Sequence, residues 1–139
     1  MIITAAVGGL IAMQPAINSG LGRATGSLPA AMISFLVGTL ALAAIVGLSG
    51  QLGNVRFASD VAPVYLLGGF LGALWVTMAL ITVREIGAGG VAAATITGQL
   101  TASVIIDRLG ILGLEETPIT VDRALGVLLL LAGTWLIVR

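Results

Sequence analysis

The groups in this sequence best placed to do chemistry are carboxamides and hydroxyls. Gln14 and Asn18 stand four residues apart, which puts them on one face of a helix. Pro15 removes a backbone donor between them and frees a carbonyl one turn earlier. The pair therefore flanks a kink and reads as the lining of a cavity. A longer stripe follows in Thr95, Gln99, Ser103 and Asp107, each four residues after the last. Ser34 and Trp75 complete the candidate substrate-binding set. Such groups hold a polar solute by hydrogen bonds and by the face of an indole ring; they do not attack one. The sequence has no Cys and no His, and all six basic residues are Arg. A thiolate, an imidazole base and a His- or Cys-ligated metal are thereby excluded. No catalytic residue, metal or cofactor is expected, and the chain is not expected to be an enzyme.

Asp107 is the one carboxylate near a polar stripe. It is a candidate for ion coupling or for a salt bridge, with Arg84 or Arg123 as the partner. The other acids, Asp60, Glu85, Glu115, Glu116 and Asp122, read as loop charges. A proton-coupled exporter of cations would hold Asp or Glu near the bilayer centre, and no predicted span has one there.

These residues need elements to position them. Apolar residues make up 58% of the 139 positions and 20 more are Gly, against about 45–50% for both together in a soluble domain. Charged residues are 9%, against about 25%. A soluble globule of this length buries too little of its chain to hide so much apolar surface. The composition predicts an all-α integral membrane protein with a single transmembrane domain, its first partner the lipid bilayer. A span needs about 20 apolar residues, and five stretches qualify: about 2–21, 28–48, 63–83, 87–106 and 123–138. Barrel strands would alternate, and the run from Leu125 to Leu131 does not. A cleaved signal peptide needs a basic segment ahead of its apolar core, but no basic residue precedes Arg23. Gly110 and Gly113 mark where the fourth helix ends or bends. Arg84 and Glu85 fall in a turn so short that helices three and four form an antiparallel hairpin.

Six Arg balance six Asp and Glu, so no basic surface exists for nucleic acid. Arg in short loops sets orientation. Across five spans, Arg56, Arg108 and Arg123 share one side, while Arg23, Arg84 and Arg139 share the other. With no bias the chain inserts either way up. Two copies then pack as an antiparallel homodimer, an inverted-repeat unit of ten helices of the kind many transporters hold in one chain. A parallel homodimer, or a heterodimer with a paralogous subunit of opposite bias, is the competing arrangement. Small residues at four- and seven-residue spacing supply packing faces: Gly8, Ala12, Ala16 and Gly20 in helix 1, Gly68 and Gly72 in helix 3, Gly126 and Gly133 in helix 5.

Four runs carry a resemblance: GLIAMQPAINSGLG (Gly9 to Gly22), AAMISFLVGTL (Ala30 to Leu40), GQLTASVIIDRLG (Gly98 to Gly110) and RALGVLLLLAG (Arg123 to Gly133). Together they resemble the YdcZ-like family of the drug/metabolite transporter superfamily, over nearly the whole chain. Members of that family are small membrane proteins described as inner-membrane exporters. The superfamily includes the small multidrug resistance proteins, which work as antiparallel dimers, and EamA-type proteins with two five-helix repeats. The resemblance implies a half-size transporter in the inner (plasma) membrane that pairs with an inverted copy or a sister subunit. The small multidrug resistance proteins use a Glu in their first helix for proton coupling. Here the comparable stretch offers Gln14 and Asn18, which do not titrate.

The leading expectation is a secondary transporter half, exporting a small organic solute by alternating access from a cavity at the dimer interface. The alternative is a non-transporting membrane subunit, an assembly or regulatory partner of a larger complex.

Overall fold

The computed structural model describes residues 2–111 and 114–139; Gly113, one of the two glycines expected to end the fourth helix, lies outside them. The chain is helical, and no strand occurs among the described residues. Among the described residues there are four α-helices: α1 (Ile2–Thr25), α2 (Ser27–Leu48), α3 (Leu67–Leu109) and α4 (Val121–Val138). All four are long and apolar enough to cross a membrane. Short 3-10 turns at Leu52–Asp60 and Pro63–Leu66 join α2 to α3.

At 43 residues, α3 would extend about 65 Å at 1.5 Å per residue, roughly twice the hydrocarbon thickness. Its helical backbone breaks once, at Gly87, where φ is 71° and ψ is 171°. That combination is open almost only to Gly. The expected third and fourth helices are therefore the segments 67–86 and 88–109 of one element, joined at a kink. A single residue replaces the expected turn at Arg84 and Glu85, and both of those residues are helical. Charge marks a loop in a soluble chain, which is why the sequence points to a turn at these two residues. Near a span end, an Arg stays helical and reaches a polar partner instead.

The α1–α2 connection follows the same rule. Helix continues to Thr25 and resumes at Ser27, in place of the loop expected over 22–27. Gly26 alone turns the chain, at φ 91° and ψ 158°, again in the Gly-only region. Arg23 thus lies in the last turn of α1, where a cation meets the negative end of the helix dipole. α1 runs through Pro15 without leaving helical geometry. The expected start of helix 3 at Pro63 is corrected: Pro63 opens a 3-10 turn, and α-helix starts at Leu67. α4 starts two residues early, at Val121, because the Thr120 hydroxyl accepts the Arg123 N–H at 3.3 Å and caps it.

Packing divides the chain into two compact units, Met1–Arg84 and Glu85–Arg139. In the first, Ala30, Ala31, Val76 and Leu80 form the buried centre, with Leu21 and Trp75 against it. Three helices meet at Gly22. A Cβ there would lie 3.5 Å from Leu80 Cδ1 and 3.6 Å from Ala30 Cβ, so side chains of α2 and α3 reach this point of α1 at ordinary contact distance. Gly72 makes a similar approach between α3 and α2, where a Cβ would stand 3.3 Å from Phe35 Cζ. Small residues let helices close up where apolar lipid supplies no hydrophobic drive.

In the second unit, the segment 88–109 and α4 are tied by hydroxyls. Thr97 Oγ1 and Thr134 Oγ1 are 2.6 Å apart, and Thr134 also donates to the Ala93 carbonyl at 3.1 Å. Each such bond is worth about 0.6 kcal/mol on average in a bilayer.

The distribution of surfaces is inverted relative to a water-soluble protein. Large apolar side chains from Ile2 to Val138 point outward, while Asn18, Ser19, Thr77 and Thr97 are buried. Backbone and side-chain polar groups must be satisfied internally where no water is present, and lipid accepts the apolar exterior.

Candidate functional site

The first polar locus lies on α1. Pro15, Asn18, Ser19 and Gly22 are its buried residues, spaced so that they share one face. Arg84, near the end of segment 67–86, lies over that face. Its Nε donates to Ser19 Oγ at 2.9 Å and its Nη2 to the Ser19 carbonyl at 3.3 Å. The guanidinium also sits directly above Gly22, whose notional Cβ would be 2.8 Å from Nη2. Gly22 is what admits the cation so close to the helix backbone.

Arg84 has no counter-charge among the described residues; the ion pairs there are Arg108–Glu116 and Arg123–Asp107. Of the two partners expected for Asp107, Arg123 takes the place and Arg84 bonds Ser19 instead. Beside Ser19, the Nδ2 of Asn18 is buried and has no hydrogen-bond partner among the described residues. A buried donor left unmade costs about 1–3 kcal/mol. Gln14, one turn earlier, is half-buried.

The second locus is the helix 88–109. Thr95 is half-buried, Gln99 and Ser103 are exposed, and Asp107 is half-buried. The helix ends at Leu109, after Asp107, so of the two helix ends the sequence allows, the longer one is taken. Arg123 Nη1 lies 3.5 Å from Asp107 Oδ2. The Asp107 carbonyl accepts the Thr117 N–H at 2.8 Å, and Arg108 pairs with Glu116. Glu116 and Thr117 are thus held against the helix end. Both ion pairs are open to the surroundings, so each is worth about 0–1 kcal/mol.

The remaining candidates are distributed. Ser34 is half-buried in α2 and Trp75 half-buried in segment 67–86. Of the packing glycines, Gly72 meets Phe35, while a Cβ at Gly68, Gly126 or Gly133 would find nothing within 4 Å among the described residues. Trp135 is exposed near the end of α4, with the Arg139 guanidinium 5.0 Å from its ring centre, an arrangement suited to a membrane–water boundary.

Four participants are not evident from sequence spacing. Ser19 is overshadowed by Asn18 beside it, yet two adjacent polar residues inside an apolar run are a signal. Arg84 looks like a turn residue, although a lone Arg at a span end must reach some acceptor. Thr97 and Thr134 draw no notice because a single Thr satisfies itself on its own helix backbone, as Thr101 does with the Thr97 carbonyl at 2.8 Å.

Apolar helices of spanning length, outward-facing aliphatic side chains and concealed polar groups define a multi-pass helical membrane protein. Residues 1–136 match the family model described as "Putative inner membrane exporter, YdcZ", of the drug/metabolite transporter type. The chain belongs to that family. No curated protein and no solved structure matches it. At this level it is an inner-membrane transporter of the exporter kind, threaded several times through the bilayer.

Proposed function

We propose that the chain is one half of a secondary transporter that exports a small polar organic solute by alternating access. The solute cavity lies at the interface with a second subunit, an inverted copy or a paralogue. Gln14, Asn18, Ser34, Trp75, Thr95, Gln99 and Ser103 line it. The chain moves its solute without making or breaking bonds.

The observation that supports this reading is the exposure of Gln99 and Ser103 on the helix 88–109. A carboxamide facing hydrocarbon has nothing to bond to, so polar residues in spans face protein or a water-filled cavity. This chain alone covers neither side chain. A partner subunit together with a polar solute would. A family described as exporting makes a solute cavity the natural use of that face.

Two measurements test it. Liposomes holding this chain, with its paralogue added where the reporters show one-sided insertion, should show solute flux; a strictly non-transporting subunit would show none. Gln14→Ala and Gln99→Ala should each weaken solute binding in purified protein while the dimer persists. Unchanged binding in both variants removes the cavity assignment. Reporters at the C-terminus, active on opposite sides of the membrane, read the pairing. Comparable signal from both supports an inverted copy, and one-sided signal supports a paralogue or parallel assembly.

A further inference from the structure

We infer that the Arg84–Asn18 locus is an oxyanion site, and that the exported solute carries a carboxylate or phosphate group. The inference rests on the transporter reading and adds the charge of the solute to it. Arg84 presents five N–H donors in a planar fork. Two of its nitrogens are engaged by one residue, Nε with Ser19 Oγ and Nη2 with the Ser19 carbonyl. Both acceptors are neutral, and no carboxylate of the described residues lies within ion-pair distance of Arg84. Arg84 as a whole residue is exposed, while its bonds to Ser19 are half-buried.

Asn18 supplies the second observation. It is 6% exposed and its Nδ2 has no partner among the described residues. It precedes Ser19 and lies one turn before Gly22, the residue the guanidinium covers, so it belongs to the α1 face that Arg84 overlies. A locus with spare donors, a fixed positive charge and no carboxylate within ion-pair distance is matched by a group that brings only acceptors and negative charge. Charge-assisted Arg–carboxylate and Arg–phosphate bonds are the strong ones, and the fork fits two oxygens at once. A neutral amide or alcohol would leave the charge unmatched, and a cation would be repelled.

The test uses the full chain in a maltoside detergent, which carries no phosphate. Trp75 packs against the core whose Leu80 and Ala30 also border Gly22, and its emission reports binding through that core once Trp135→Phe removes the other Trp. Acetate and inorganic phosphate are the probes, with chloride held constant. Saturable quenching or shift is expected. Arg84→Gln should weaken it at least tenfold, whereas Arg23→Gln should leave it unchanged.

A second variant guards against misfolding. Asn18→Asp keeps the side-chain shape and puts a negative charge on the α1 face that Arg84 overlies. It should abolish anion binding while raising thermal stability. Oxyanion binding that is absent in the parent, or unaltered in both Arg84→Gln and Asn18→Asp, overturns the assignment.

Added phosphatidylglycerol distinguishes two sources of the anion. If it competes with the soluble probes, the lipid headgroup reaches the site; if it does not, free solute alone does. The transport reading fails separately. Liposomes that move neutral solutes but no oxyanion refute the oxyanion site and keep the transporter. Oxyanion binding with no flux of any solute, in liposomes that also hold the paralogue where one is required, refutes the transporter and keeps the site.

Discussion

Replacing Gly87 by Ala tests the claim that one residue divides α3 into two spans. Gly87 has φ 71° and ψ 171°, a conformation costing a side-chain-bearing residue about 1–3 kcal/mol. A Cβ there would meet nothing within 4 Å among the described residues, so the expected cost is backbone strain and not collision. Gly89→Ala is the matched control. Gly89 lies in regular helix, its Cβ position is equally open, and Ala in a helix interior gains up to about 1 kcal/mol over Gly. The two variants have the same composition and differ by two positions, so their unfolded ensembles are nearly equal and the comparison isolates the folded backbone. Gly87→Ala should be less stable than Gly89→Ala by at least about 1–3 kcal/mol, measured by reversible unfolding in detergent with far-ultraviolet circular dichroism. The strain has one escape, continuation of the helix through residue 87. That would make a rod of about 65 Å in a slab of about 30 Å, and would draw one segment out of the bilayer. Single cysteines placed on either side of residue 87 would then change their labelling by a membrane-impermeant maleimide, read cleanly because the parent has no Cys. Equal stability of the two variants, with unchanged labelling, would refute the assignment of the break to Gly87.

Other expectations follow from the packing. Gly26→Ala meets the same forbidden backbone region and should cost about 1–3 kcal/mol, seen as a lower unfolding midpoint. Thr134→Val removes the hydroxyl shared with Thr97 and Ala93; it should cost about 0.6–1.7 kcal/mol, and Thr134→Ser should recover most of it in the same assay. Asp107→Asn breaks the bond to Arg123. Because both partners are over a third exposed, the loss should stay under about 1 kcal/mol and shrink as salt rises, tested by unfolding at low and high ionic strength.

The spans are legible because a bilayer imposes a length and a composition that few other structures satisfy. Residues 28–48 contain no charge at all, and α2 occupies Ser27–Leu48. What misleads is punctuation. Arg23, Arg84 and Glu85 read as loop residues by water-soluble convention, yet each continues a helix, and the chain turns at Gly26 and Gly87 instead. The decisive signal there is a glycine able to take positive φ, and twenty glycines do not announce which of them do.

The polar loci show the deeper limit of periodicity. Spacing of four correctly groups Gln14 with Asn18 and Gln99 with Ser103, because each pair belongs to one helix with a fixed pitch. It says nothing of how far one helix slides past another. The bond from Arg84 to Ser19 joins residues 65 positions apart, and the contact of Thr97 with Thr134 spans 37. Both depend on interhelical register, which small residues set by allowing close approach. Gly22 is the clearest instance. Any side chain there would occupy the place of the guanidinium, so a position that reads as one more packing glycine determines where the locus holds its positive charge. A Gly22→Ala variant should therefore displace Arg84 and weaken anion binding, with little effect on folding because a flexible guanidinium can move aside. Anion affinity equal to the parent's would show that Gly22 serves helix contact alone.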